Sequence, residues 1–314
     1  EDFLTVFAHE YFHAWLVKHL RPASFLPYKL ERECHTHDLW VFEGFTTYYE
    51  NVLPFRAGVL DEDKLLSLTS ARFNRVRERE GFHVESLSDA SFNAWTHLYK
   101  QTPDSAYCQA SYYGKGAVLA FMLDAALRKA GFSLDEVLKT WFHEALADPQ
   151  ARSLPDGGFF ERIPVASIAE RFKKLVTSSD RTLWENEWRC ALSTLGMSEE
   201  ADKNTPASRM HLGLQLDGLR VRYAESRGSA YAAGLFAGDE IIAVNGLRAD
   251  AATIERMITQ AKGSTLHIHY FREHLLRSAE IEVPVNPLPQ PGTLKIKSPT
   301  EFGRAWIRSS NRQA

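Results

Sequence analysis

The stretch Phe7-Ala8-His9-Glu10-Tyr11-Phe12-His13-Ala14-Trp15 decides how the rest of the chain is read. Residues four apart leave the same face of a helix, so His9 and His13 can reach one metal ion together. Glu10 follows the first imidazole directly, where its carboxylate can aim at a water beside the metal and act as general base in metal-assisted hydrolysis. Leu4, Phe7, Ala8, Phe12, Trp15 and Leu16 predict a buried helix over 1–20, which Arg21-Pro22 ends. Catalytic zinc takes three protein groups and leaves one position open, so the chain must supply a third ligand.

The best candidate lies in Asp38-Leu39-Trp40-Val41-Phe42-Glu43-Gly44-Phe45-Thr46-Thr47-Tyr48-Tyr49, a second helical segment that Pro54 is expected to close. Glu43 is an acid among aromatics, and burying it without a positive partner would be costly. Zinc would be that partner. His19, His35 and His37 stand as rivals. The first falls off the metal-facing side of its helix, and the other two belong to a Pro-containing loop over 21–37, where they read as solvated or hydrogen-bonded side chains.

His9-Glu10-Tyr11-Phe12-His13 followed by Leu39-Trp40-Val41-Phe42-Glu43-Gly44 resembles the glycyl aminopeptidase family of zinc metallopeptidases. Val17-Lys18-His19-Leu20-Arg21-Pro22 is similar to that family's basic stretch, and Ser111-Tyr112-Tyr113-Gly114-Lys115-Gly116 to its downstream tyrosine motif. The resemblance implies a mainly α, thermolysin-like (gluzincin) catalytic domain related to the aminopeptidase N group. It also implies one Zn2+ per chain on His9, His13 and Glu43, with Glu10 as base. A tyrosine two positions before a Lys-Gly pair stabilises the oxyanion in that group, and Tyr113 matches this spacing, with Tyr112 open beside it. The family carries a β-rich region ahead of this point, so the chain, which begins at Glu1, is expected to be a fragment without its native N-terminus.

Composition fits an enzyme of more than one domain. The chain has 314 residues, 44% of them hydrophobic, and 314 exceeds the usual single core. A formal charge of -3 leaves no basic face for nucleic acid, and no apolar run approaches the ~20 residues of a membrane helix. Cys34, Cys108 and Cys190 are odd in number and far apart, which argues against a disulfide framework. The compartment stays open, cytoplasm being preferred to periplasm.

Along the chain, 61–80 reads as an amphipathic helix capped by Asp61, and 83–104 as an irregular segment near the cleft. Ser111–Lys129, a helix after Ser133, Ile163–Leu175 and Asp180–Leu192 complete a helical catalytic domain over 1–197. Residues 198–208 read as a polar linker. Short β patterns with Gly-containing turns then resemble a bacterial-type PDZ domain over 209–286, a small α+β unit. The resemblance rests on Ser229-Ala230-Tyr231-Ala232-Ala233-Gly234-Leu235, Gly238-Asp239 and Val244-Asn245-Gly246. If it binds peptide C-termini, Leu212, Gly213 and Leu214 would form its carboxylate loop. The tail 287–314 reads as docked or disordered, with Trp306 as anchor. The function expected is a zinc peptidase acting on peptide substrates, an aminopeptidase that prefers small residues such as Gly or Ala. The alternatives are an inactive peptide-binding adaptor and an endopeptidase.

Overall fold

The computed structural model describes residues 2–290 and 292–308. Polar caps start many of its helices: Asp61 accepts from Lys64 N at 2.8 Å, Ser111 from Gly114 N at 3.3 Å and Ser133 from Glu136 N at 3.2 Å. The first part of the chain is mostly helical. It comprises α1 (Asp2–Phe12), α2 (Phe45–Arg56), α3 (Glu62–Arg77), α4 (Leu87–Phe92), α5 (Ser105–Cys108), α6 (Tyr112–Lys129), α7 (Leu134–Ala147), α8 (Ala166–Val176) and α9 (Arg181–Leu195). Two short strands, β1 (Arg21–Pro22) and β2 (Ser153–Leu154), pair in parallel across it. Helix α6 is the hub. Every residue from Gly114 to Ala125 is buried, as expected of a helix with neighbours on all sides.

An antiparallel sheet follows, with strands β4 (Leu214–Asp217), β5 (Arg220–Ala224), β6 (Glu240–Val244), β8 (Thr265–Arg272) and β9 (Leu275–Glu282) in the order β4-β5-β6-β8-β9. Strand β7 (Leu247–Arg248) hangs on β6, and helices α10 (Ser229–Ala232) and α11 (Ala251–Gln260) accompany the sheet. Leu214, Val221, Ile241, Val244, Ile254, Ile258 and Ile268 build its own core, separate from the helical one. The two units meet at the end of α3, where Glu78 pairs with Arg209 and accepts from Gln215 Nε2 at 3.0 Å.

Four local expectations need correction. Helix α1 stops at Phe12, residues 13–20 run through irregular turns, and Glu1 lies outside the described residues. Its Phe3, Phe7 and Tyr11 are 82%, 57% and 58% exposed, so Phe7 does not line the ligand side. Their rings form a stack on the outer face because the opposite face packs on α2. Pro54 does not end the second helix; it sits inside α2, near the C-terminus, where a single ladder bond is lost.

The stretch after Gly196 is not simply a linker, since strand β3 (Met197–Glu200) pairs antiparallel with β10 (Thr293–Ile296). That pairing returns the tail to the helical unit. It ends in α12 (Glu301–Ile307), where buried Trp306 donates its indole N–H to Tyr48 Oη at 2.7 Å. The tail therefore docks, and Trp306 is its anchor; residues 309–314 lie outside the described part.

Candidate metal centre

Three of the sequence-predicted residues converge. His9, His13 and Glu43 each offer one ligand atom, and these atoms lie within 4.8 Å of one another. Glu43 Oε2 sits 3.4 Å from His9 Nε2 and 3.3 Å from His13 Nε2. It is buried yet makes no well-formed hydrogen bond to either.

The local backbone explains why Glu43 points there. Trp40–Gly44 is a π-helical turn feeding directly into α2, and the wider turn re-aims the side chain relative to an ordinary helix. Gly44 and Gly116 allow α6 to press against this turn. A Cβ on Gly44 would meet Gly116 Cα at 2.6 Å, and one on Gly116 would meet Gly44 Cα at 2.8 Å. The contact between these two motif glycines brings the tyrosines at the start of α6 to the glutamate.

Each imidazole is oriented through its other nitrogen. His9 Nδ1 donates to Glu50 Oε2 at 2.9 Å, and His13 Nδ1 donates to Leu16 O at 3.1 Å. Both bonds leave Nε2 facing inward, the arrangement in which imidazoles bind metal. Glu50 is buried and also clasped by Arg72 of α3. Burial works against a charged His9, but Glu43 and Glu50 outweigh it and raise its pKa to about 9. His13 is likewise raised, with burial opposed by Glu43. For Glu43, burial alone would raise the carboxyl, yet the two imidazoles hold it below its usual range. The site thus calls for a cation at its centre, and two imidazoles with one carboxylate suit zinc.

Glu10 follows His9 on α1, exposed and without a side-chain partner among the described residues. The Tyr113 ring lies 6.2 Å from that of His9. Burial first, then the charge of Glu43 and nearby Tyr99, push the Tyr113 hydroxyl above its ordinary pKa and keep it protonated. Tyr112 is more deeply buried and stacks on Tyr113 at 4.7 Å. Lys115 of the same motif is a strut: its buried Nζ donates to Phe82 O at 2.6 Å and Glu85 O at 2.7 Å. The rival histidines stay outside. His19 packs near Phe142, His35 donates to Phe92 O at 2.9 Å, and His37 pairs with Ser88 Oγ at 3.0 Å.

Sequence reasoning missed Glu50 and Arg72. The signal was present, because Glu50 is a second acid seven positions beyond Glu43, on the helix α2 that the Glu43 turn feeds, and is flanked by Tyr48, Tyr49 and Val52. The 83–104 segment, expected near the cleft, supplies Trp95 and Tyr99 as walls of a cleft of about 790 Å³ that opens on Glu43, although sequence reasoning gave neither a role there. In the sheet unit, Leu212, Gly213 and Leu214 are all buried. Gly213 is left-handed and its N–H donates to Arg209 O at 3.2 Å. The returning chain covers this loop, with Leu288 N donating to Met210 O and His211 Nδ1 to Pro284 O.

Residues 2–119 match the family model described as M61 glycyl aminopeptidase. A solved structure, an aminopeptidase N family protein from Idiomarina loihiensis, superposes with a TM-score of 0.82 at 29% identity over 98% of this chain. The chain spans only 55% of that protein's length. The search of curated proteins found no match. No helix among the described residues is long and apolar enough to cross a membrane.

Proposed function

With the match of residues 2–119 to the M61 glycyl aminopeptidase family as premise, we propose that this protein is a zinc-dependent peptidase of the thermolysin-like kind, acting at peptide amino termini. The observation that carries the reading is Glu43 Oε2, buried without a hydrogen bond between two inward-facing Nε2 atoms. His9, His13 and Glu43 would hold the zinc. When bound, the ion polarises a peptide carbonyl and makes water easier to deprotonate.

The chain's own groups do the remaining work. Glu10 carries no competing side-chain partner among the described residues, so its carboxylate can take a proton from the attacking water and return it to the leaving amine. Tyr113, protonated and beside His9, donates its O–H to the carbonyl oxygen as charge develops there. Glu50, steadied by Arg72, keeps His9 turned so that Nε2 faces inward.

The sheet unit is proposed as a PDZ module. Its buried and satisfied 212–214 loop weighs against a protein whose sole work is capturing peptide C-termini there. The expectation of small residues such as Gly or Ala rests on the resemblance alone. Glu10→Gln decides the reading: zinc should stay near one equivalent while kcat for peptide hydrolysis falls by roughly 10²–10⁴. Full turnover in that variant, or no zinc bound to the unmodified protein, would overturn it.

A further inference from the structure

We propose that Glu85 is a positioning residue for Tyr113, fastening the oxyanion donor from both sides of its motif. The proposal rests on the peptidase reading and on Tyr113 as the donor within it. Glu85 is buried, and its Oε2 accepts from Ala110 N at 2.7 Å, directly ahead of the Ser111 cap that starts α6. Its backbone carbonyl accepts from Lys115 Nζ at 2.7 Å, two positions beyond Tyr113. Residues 111–114, with both tyrosines among them, are therefore tied at each end to one residue. The other two groups of Glu85 are engaged as well, Oε1 accepting from His97 Nδ1 at 2.7 Å and the N–H donating to Gly81 O at 3.0 Å.

This frame has a consequence for chemistry. An oxyanion donor must meet the place where charge develops, and a displacement of about 1 Å costs up to about 100-fold in rate. The Tyr113 hydroxyl stands at the far end of its ring, so a small tilt of the backbone beneath it is magnified there. The helix cap alone is a weaker hold, since Ser111 Oγ accepts from Gly114 N at 3.3 Å, longer than either bond to Glu85. Glu85 is itself held in place, because Gly81 lies so close to residue 109 that a Cβ there would meet Gln109 O at 2.1 Å. The arm to His97 steadies the approach to Tyr99, which bears on the Tyr113 hydroxyl and lines the cleft with Tyr112 and Glu43. With a partner on each oxygen and on its N–H, Glu85 acts through Tyr113 and not on the substrate.

The test is a double-mutant cycle on zinc-loaded protein, reading kcat, KM, zinc content and melting temperature for each variant. Glu85→Ala should lower kcat by about 10–100-fold with KM and zinc content unchanged. In the Tyr113→Phe background, where no hydroxyl remains to be placed, the same change should cost less than about twofold. Glu85→Gln should recover most of the loss, because its amide oxygen can take the Ala110 N–H while its amide N–H faces the His97 ring. If Glu85→Ala does not fold, Lys115→Met removes the other anchor and should give the same pattern in the two backgrounds. Equal losses with and without the Tyr113 hydroxyl, or an unchanged kcat in the folded variant, overturn the positioning role and leave the peptidase reading standing. Absence of hydrolysis by the unmodified zinc-loaded protein overturns that reading, and the role with it.

Discussion

The helical unit and the sheet unit each contain a sequence-predicted site, and they treat buried polar atoms in opposite ways. Around His9, His13 and Glu43 the fold brings three donor atoms together and leaves Glu43 Oε2 without a hydrogen bond. Around Leu212, Gly213 and Leu214 the apolar side chains are covered and Gly213 N is spent on Arg209 O. A buried polar atom left unmatched is destabilising by roughly 1–3 kcal/mol, and at Glu43 the two inward-facing Nε2 atoms frame a position from which a cation would complete it. The first site is the one proposed to take a metal ion, and the second is covered by the returning chain.

That contrast can be broken at either end. Tyr113→Phe removes one hydroxyl from the candidate metal site and should lower kcat by about 10²–10³ at unchanged zinc content. If Tyr112→Phe has that effect and Tyr113→Phe does not, the oxyanion donor is the neighbour. In the covered site, Leu212→Ala should destabilise the sheet unit by about 3 kcal/mol, read as a lower melting temperature. Weaker binding of peptide C-termini with no loss of stability would instead make that loop a binding element.

The sequence made the candidate metal site legible because its chemistry is local. His9, Glu10 and His13 lie within five consecutive residues at the end of α1, where His13 N still bonds His9 O at 3.3 Å, and Glu43 stands out as an acid in an apolar run. The closeness of the Glu43 turn to the tyrosine helix was not legible, because it depends on Gly44 meeting Gly116, 72 positions away along the chain. The bond from His9 to Glu50 crosses 41 residues, and no spacing rule anticipates it. The outward-facing Phe3, Phe7 and Tyr11 misled for a related reason. An apolar stripe predicts burial, but on α1 the inward side was claimed by the imidazoles. In the sheet unit the strand pattern was readable from alternation and Gly turns, while the cover over 212–214 comes from residues 284–290 folding back.

Buried charge also makes the helical unit sensitive to pH. Asp38, just before the π-helical turn, is pushed up to about 6 by burial and by Asp156, against the hydrogen bonds from Gly157 N and Trp40 Nε1. A folded-state pKa above the unfolded value means that the folded protein binds the proton more tightly. The resulting stability is complete below about pH 4 and is lost as pH rises through about 6. The change is at most about 3 kcal/mol. Asp38→Asn should flatten denaturant stability between pH 4 and 6 relative to the unmodified protein; identical slopes would assign the pH response to other groups.

The smallest effect expected is at Glu50, which touches no donor atom directly. Glu50→Gln keeps an acceptor for His9 Nδ1 but removes the charge that Arg72 clasps, so zinc affinity should fall about tenfold. Glu50→Ala also frees the imidazole to rotate and leaves Arg72 without its partner, so the loss should approach about 100-fold. Competition against a chelator of known affinity measures both, and melts of the zinc-free variants report whether the fold is kept. The order Gln before Ala matters, because a residue that merely packs would weaken zinc binding only in step with stability. Affinity unchanged in both variants would mean that the Leu16 carbonyl on His13, together with Glu43, suffices to hold the geometry, and that the buried acid on α2 belongs to the core and not to the site.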